Sequence, residues 1–309
     1  MGSGSAGDIS VLVPLYNHER YVADALHSVL RQTAPPKEII CIDDGSKDRS
    51  AAVVSRIAGQ SDRVRFWSRP NRGAAATLNE AAGAAKGSIL AVLNSDDLYL
   101  PRRLARAAAV LEADDRIAAV ATDLICIDAE GNEIHDRWQV EATDFFRKTG
   151  ELGLSLVNGN FLRTTSNLVV RRTVFEEIGG FDDLRYAHDL HFFLRLVGAG
   201  KRMAILKEKL LGYRLHGANT IAEAHTGVRA EWAAVSAFYA RDLLLSSRKG
   251  SRDELDVLFG VLHRHGLDHV VEGLLAAIQL ANGTAASPSA LLHDHVFRKR
   301  LTTEVEVRV

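Results

Sequence analysis

Leu93-Asn94-Ser95-Asp96-Asp97 closes an apolar run, Ile89-Leu90-Ala91-Val92-Leu93, and Pro101 follows soon after in a helical pattern. A short apolar run of this kind reads as a buried strand. Two carboxylates at its carboxyl end lie where open α/β sheets bind ligands. Hard oxygen donors there suit Mg2+ or Mn2+, which keep positions open for water and substrate phosphates. Alone, the pair reads more readily as an Asp-Asp turn before a helix, since Asp favours turns and helix starts. The chain on either side decides between the two.

Strands and helices alternate through the first half. Ile9 to Pro14 and Glu38 to Asp43 read as buried strands, Val64 to Trp67 as a short one, and Ile117 to about Thr122 as another. Asn17 is placed to cap a helix whose apolar stripe is Val22, Leu26, Val29 and Leu30. Ser46 or Asp48 opens the next helix, Ala74 to Lys86 forms an Ala-rich one, and Pro101 stands at the first position of a helix reaching Ala113. Strands separated by helices imply right-handed crossovers and a mostly parallel sheet. The loops after the first, second and fourth strands then share one edge: Pro14-Leu15-Tyr16-Asn17, Asp43-Asp44-Gly45-Ser46-Lys47-Asp48 and Asn94-Ser95-Asp96-Asp97.

The pattern changes after about residue 123. Ile125-Cys126-Ile127 and Glu133-Ile134 flank a hairpin turn, Asn167 to Val170 is a strand, and Thr173 to Ile178 is a helix stopped by Gly179-Gly180. Leu190, Phe193, Leu194 and Val197 mark a helix, and Met203 to Leu206 and Leu210 to Leu215 read as two short strands. Beyond about Glu223 the chain reads as helical. The bulk properties are those of an ordinary globular protein: 309 residues, 47% hydrophobic, 25% charged, net charge -1. That charge gives no field to recruit nucleic acid. No apolar run is long enough to span a membrane, and residues 1–7 have no signal-peptide pattern. Cys41 and Cys126 fall in strand-like runs and read as buried thiols of a reducing compartment. His263, His265 and His269 read as a solvated helix end, and Arg298-Lys299-Arg300 as a solvated face that is at most a weak contact to anionic lipid.

Taken together, the motifs resemble a family 2 glycosyltransferase with the GT-A fold. The matching pieces are Val11 to Asn17, Asp43 to Asp48, Asn71 to Asn79, Leu93 to Asp97, Val170-Arg171-Arg172, Gly179 to Asp182, Ala187 to Leu190 and Tyr213 to His216. They cover about residues 9 to 220. The resemblance implies a Rossmann-like, mostly parallel sheet flanked by helices, in a transferase domain over 9–222. Residues 1–8 are then a flexible leader and 223–309 a helical C-terminal extension that pairs two copies or docks a partner. It implies inverting transfer of a sugar from a nucleotide diphosphate, expected to be UDP, to a hydroxyl of a glycan, lipid-linked or protein-linked acceptor. The setting is cytoplasmic, in the building of bacterial surface polysaccharide, with peripheral contact at the inner membrane.

By the same resemblance Asp44 meets the base, with Pro14 and Tyr16 shaping its pocket and Asn17, Arg72, Asn94 and Ser95 nearby. Asp96 faces Mn2+ or Mg2+, and His216 ligates the ion or donates to the diphosphate, which Arg214 also contacts. Asp189 is the base that takes the acceptor's proton. Asn160, Arg163 and Thr164, in a segment that reads equally as a solvated loop, and His188 are the acceptor-side candidates. Three positions depart from the family pattern. Asn94 stands where the metal motif usually begins with Asp, Leu78 where Arg is common, and His188 where Glu is common. Arg69 or Arg72 is expected to supply the contact missing at Leu78. These departures give the rival reading, a non-catalytic sugar-nucleotide-binding module, its weight.

Overall fold

Four apolar segments of the first half pair in parallel: β1 (Ile9–Leu15), β2 (Glu38–Asp43), β3 (Val64–Ser68) and β4 (Ile89–Val92), in the order β3-β2-β1-β4. All of β2 and β4 is buried, as expected of strands covered on both faces. Pro14 is tolerated inside β1 because pairing with β4 ends at Leu12–Val92, before a missing N–H is felt there. The computed structural model describes residues 8–217, 219, 225–247, 250–280 and 287–294. The N-terminal stretch 1–7 and the basic cluster at 298–300 lie outside the described residues.

The chain divides into two compact units. The first is Met1–Asp136 with Leu162–Phe181 and Lys201–His216; the second is Arg137–Phe161 with Asp182–Gly200 and Gly217–Val309. The first unit carries the sheet. It adds β5 (Leu98–Tyr99), β6 (Ile117–Ile127), β7 (Glu133–Ile134), β8 (Val169–Arg171) and β9 (Arg202–Arg214), continuing the order as β4-β8-β6-β9-β5 with β7 on β6. β8 runs antiparallel to both neighbours, so the sheet is mixed. Helices are numbered in chain order: α1 (Val22–Leu30), α2 (Ser50–Ala58), α3 (Ala74–Ala84) and α4 (Arg103–Ala113) flank it. Val22, Leu26 and Val29 of α1, Val54 of α2, and Leu104 and Leu111 of α4 join Ile9, Val11, Val13 and Ile39 in one core.

The second unit is helical among the described residues. It contains α5 (Arg137–Thr149), α6 (Leu152–Gly159), α8 (His188–Gly198), α9 (His225–Leu245), α10 (Ser251–Arg264), α11 (Asp268–Leu280) and α12 (Pro288–His293); α7 (Arg172–Ile178) belongs to the first unit. α9 is buried on nearly every side through its middle, Ala233 to Ala240, so it is the core helix of this unit. Gly153 of α6 lets it approach: a Cβ there would lie 1.9 Å from the Tyr239 hydroxyl. No helix among the described residues is long and apolar enough to cross a membrane.

Several local expectations are corrected. Asn17 does not cap α1, which begins at Val22 after Tyr21. Asn17 instead takes φ +53°, and its Oδ1 accepts from the Lys47 N–H at 2.7 Å. Pro101 precedes α4 rather than opening it, because Leu98–Tyr99 is drawn into pairing with Leu211–Gly212. The two strands expected around Met203 and Leu210 are one. Lys207 and Lys209 are exposed, while Glu208 between them pairs with Arg102 and Arg106, so the polar stretch is strand alternation and not a turn. Likewise β6 runs on past Thr122 to Ile127, its register with β9 shifting around Asp123. Cys41 and Cys126 are buried free thiols.

Candidate active site

Parallel pairing sets the carboxyl ends of β1, β2 and β4 side by side, so their loops meet in the first unit. The first two loops are laced together. Asn17 N–H donates to Ser46 Oγ and His18 N–H donates to Ser50 Oγ, both at 2.9 Å. Glu19 N–H donates to Asp48 Oδ2 at 3.0 Å. Gly45 makes the turn possible: it holds φ +78°, and a Cβ there would meet Asn71 N at 3.0 Å. Pro14 is half-buried at the end of β1, and Tyr16 is 46% exposed beside it. The buried Asp44 carboxylate accepts from the Arg72 and Gly73 N–H groups at 2.8 and 2.9 Å and from the Arg69 guanidinium. Arg69 also bonds Glu80 and Thr77, which fixes it, whereas the Arg72 side chain is 63% exposed. Leu78 is fully buried and joins the core.

Past β4, Asp96 and Asp97 have different surroundings. Asp96 Oδ2 lies 3.1 Å from His216 Nε2 and 4.0 Å from His18 Nε2. Burial raises the Asp96 carboxyl, but the His216 hydrogen bond and the nearby imidazole charges outweigh it and hold it below the usual carboxylate range. Burial, against the pull of Asp96, keeps His18 below the usual imidazole range. Asp97 turns the other way. Its Oδ2 accepts from Ser166 Oγ at 2.6 Å and Thr164 Oγ1 at 3.0 Å, and its Oδ1 from the Arg214 N–H at 2.9 Å. Burial, then the Asp96 charge, push Asp97 upward in spite of those donors. Asp97 is thus a buried buttress and does not cap α4.

Asn94 belongs to the same network. Its N–H donates to Ser166 Oγ at 2.8 Å and its Nδ2 to Thr164 Oγ1 at 3.0 Å. Thr164 Oγ1 also accepts from the Ser166 N–H at 3.2 Å, so both its lone pairs are used and its proton goes to Asp97. A donor is therefore needed at position 94, which Asn supplies and a carboxylate does not. The segment around Thr164 is not a solvated loop, since Thr164, Thr165, Ser166 and Asn167 are all buried. Arg163, at φ +71°, sends its guanidinium to Asp136 at 2.8 Å and over the Tyr213 ring.

Arg214 is buried. Its Nε donates to the Asp96 carbonyl at 2.8 Å and its Nη1 to the carbonyls of Asp128 and Ala129 at 3.0 and 3.1 Å. The guanidinium carbon stands 4.8 Å from the Tyr21 ring centre, and Tyr21 lies 4.8 Å from the His216 ring, tilted by 30°. Arg214 and Tyr21 thus hold Asp96 and His216 in place.

In the second unit, Asp189 lies in the first turn of α8 and is buried. Its Oδ1 accepts from the Leu190 N–H at 2.6 Å and its Oδ2 from Asn160 Nδ2 at 3.1 Å. Burial raises its carboxyl above the usual range, outweighing the neighbouring His188 charge and these hydrogen bonds. Asn160 follows α6 directly, and its Oδ1 is buried without a hydrogen-bond partner among the described residues.

The donor set fits a divalent ion. One atom from each of His18, Asp96 and His216 lies within 4.8 Å of the others. Donors on one ion with bonds of about 2.1 Å stand roughly 3 to 4.2 Å apart, so small movements close the set. Among the described residues this is the one group of its kind. Sequence reasoning named Asp96 and His216 as candidates here and did not name His18 or Tyr21. The available signal was His18 itself, an imidazole in the first of the three loops that share the edge.

Residues 10–179 match the model described as Glycosyl transferase family 2. An uncharacterized glycosyltransferase of Nostoc sp. is 31% identical over 214 residues, covering 68% of this chain and 66% of the relative, so the chain spans just under two thirds of its length. The chondroitin synthase of Pasteurella multocida is 28% identical over 213 residues, covering 69% of this chain but 21% of the synthase. Among solved structures, residues 1–349 of S. aureus TarS with UDP-GlcNAc superpose with a TM-score of 0.66 at 20% identity, covering 84% of this chain and 72% of that one. The mannosyltransferase PcManGT of Pyrobaculum calidifontis with GDP-Man and Mn2+ gives 0.60 at 19% identity, covering 97% and 86%. The fold is GT-A.

Proposed function

This chain belongs to glycosyl transferase family 2, and we propose that it is a metal-dependent, inverting transferase using a UDP-sugar. The acceptor is a hydroxyl on a glycan, a lipid-linked sugar or a glycosylated protein. The observation that carries the reading is the His18–Asp96–His216 cluster beside the carboxyl ends of parallel strands, where α/β sheets bind ligands. Asp96 and His216 would hold Mn2+ or Mg2+, with His18 beside them. When bound, the ion acts as a Lewis acid toward the negative charge that grows on the departing diphosphate.

The chain's own groups do the rest. Tyr16 and Pro14 flank the base and Asp44 accepts from it, held in aim by Arg69 and two backbone N–H groups. Asn17, Ser95 and Asn94 line the nucleoside side, and Arg72, 63% exposed and paired with Glu80 at 3.5 Å, reaches it. Arg214 steadies Asp96 through its carbonyl and adds positive charge close to the diphosphate. Asp189, steered by Asn160, takes the proton of the acceptor hydroxyl. The acceptor oxygen bonds to the anomeric carbon, the bond to the diphosphate oxygen breaks with its electron pair, and configuration inverts. His188 and Arg163 lie on the acceptor side.

The test is UDP release from a panel of UDP-sugars with Mn2+ and candidate acceptors, run beside Asp189→Asn. Loss of a positioned base lowers turnover about 10²–10⁴-fold while UDP still binds. The same base sets the pH profile. Only its ionised form accepts the proton, and burial raises its pKa, so turnover falls with falling pH through a limb above the usual carboxylate range. Turnover unchanged in Asp189→Asn contradicts the assignment. Binding without turnover for every donor and acceptor favours the binding-module reading.

A further inference from the structure

We propose that His18 is a third protein ligand of the metal centre. The two imidazoles and one carboxylate so assembled select Mn2+ and its transition-metal neighbours over Mg2+. The inference rests on the transferase reading only in that an ion binds at Asp96.

Three features of His18 point to ligation. First, its ring is aimed: Nδ1 lies 2.8 Å from Ser95 Oγ, leaving Nε2 on the Asp96 side, 4.0 Å from Oδ2. A metal-binding imidazole characteristically uses its second nitrogen in this way, which fixes both orientation and tautomer. Second, its backbone is pinned at both ends. The N–H donates to Ser50 Oγ at 2.9 Å, and the carbonyl accepts from Tyr21 and Val22 N–H groups at 2.9 Å each. Third, its ring stands 5.7 Å from that of His216 at 89°, so the two imidazoles approach the Asp96 oxygen from different directions.

The neighbouring acidic and amide groups are engaged elsewhere. Both Asp97 oxygens accept from Thr164, Ser166 and Arg214, and the Asn94 amide donates to Thr164. In the cluster formed by the described residues, Asp96 supplies the carboxylate and the other two donors are imidazole nitrogens. Imidazole suits first-row transition ions, whereas Mg2+ prefers an all-oxygen shell. The alternative is a hydrogen-bonded His–Asp–His group in which His18 merely packs near Asp96.

Pulsed EPR on the full chain with Mn2+ alone separates the two by counting the nitrogens coupled to the bound ion. Two imidazole nitrogens are expected in the parent and one in His18→Asn, whose amide keeps a partner for Ser95. Mn2+ affinity is expected to fall about tenfold or more in that variant, the size of loss typical even of an outer-sphere partner. The Mn2+ over Mg2+ preference narrows with it, because Mg2+ binding changes little. A single coupled nitrogen in the parent overturns the inference, as does an unchanged count and affinity in His18→Asn. If that variant fails to fold, the parent's nitrogen count decides alone. Mn2+ held by two imidazoles in a protein that transfers no sugar overturns the transferase reading and leaves this inference standing. No bound Mn2+ in the parent overturns the inference.

Discussion

Asn94 shows how one amide can be fixed by its neighbours. Thr164 Oγ1 accepts from Asn94 Nδ2 and Ser166 N–H and gives its proton to Asp97. Asn94→Asp would face that saturated oxygen with an acceptor and add a charge near Asp97. A buried polar group left without a partner costs roughly 1–3 kcal/mol. The variant is therefore expected to lose about that much stability in urea unfolding without metal, although it restores the family's usual residue. Equal or greater stability would show that the network is held differently. Asp44, Asp96, Asp189 and His216 were legible as candidates because each sits in a motif whose order along the chain is informative. His18 was not, since Asn17-His18 reads locally as a loop before a helix. Its chemistry depends on Asp96 and His216, which only folding brings to it. The roles of Thr164 and Ser166 were hidden for the same reason: a satisfied hydroxyl inside the protein and a hydroxyl awaiting a sugar look alike in sequence.

At the scale of elements, α4 supports the site through Arg103, a side chain with no solvent exposure. Its Nη1 donates to Thr122 Oγ1 at 2.5 Å, and its Nη2 to the Ser166 carbonyl at 2.9 Å and Asn167 Oδ1 at 3.3 Å. Its guanidinium carbon lies 4.7 Å from the Tyr99 ring centre. This one cation ties α4, β6 and the turn that carries Ser166. Arg103→Met leaves buried acceptors without a donor, partly offset because a buried guanidinium is itself costly to desolvate. The expected net loss is roughly 1–3 kcal/mol in urea unfolding, with weaker Mn2+ binding although Arg103 lies outside the ligand set. Unchanged stability and metal affinity would contradict the bracing role. The alternating elements of the first half were readable from their periodicity. β5 and the full lengths of β6 and β9 were not, because Leu98-Tyr99 becomes a strand only by pairing with β9, and exposed Lys207 and Lys209 mimic a loop.

For the whole molecule, the sequence resemblance reached the GT-A fold and the family because its motifs follow the strands of the sheet in order. It could not delimit the units. Residues 137–161 and 182–200 fold with the C-terminal helices, an association set by packing and invisible to a linear boundary. Inverting transfer at an anomeric carbon needs both a carboxylate for the ion, proposed as Asp96, and a proton acceptor, proposed as Asp189. The direct measurement is a crystal structure with a turnover-competent UDP-sugar and Mn2+, trapped in Asp189→Asn. The expected result is the diphosphate and ion at Asp96, His216 and His18, with residue 189 within reach of an acceptor hydroxyl. A sugar nucleotide seated away from Asp96, or residue 189 in a separate cavity from the anomeric carbon, would contradict it.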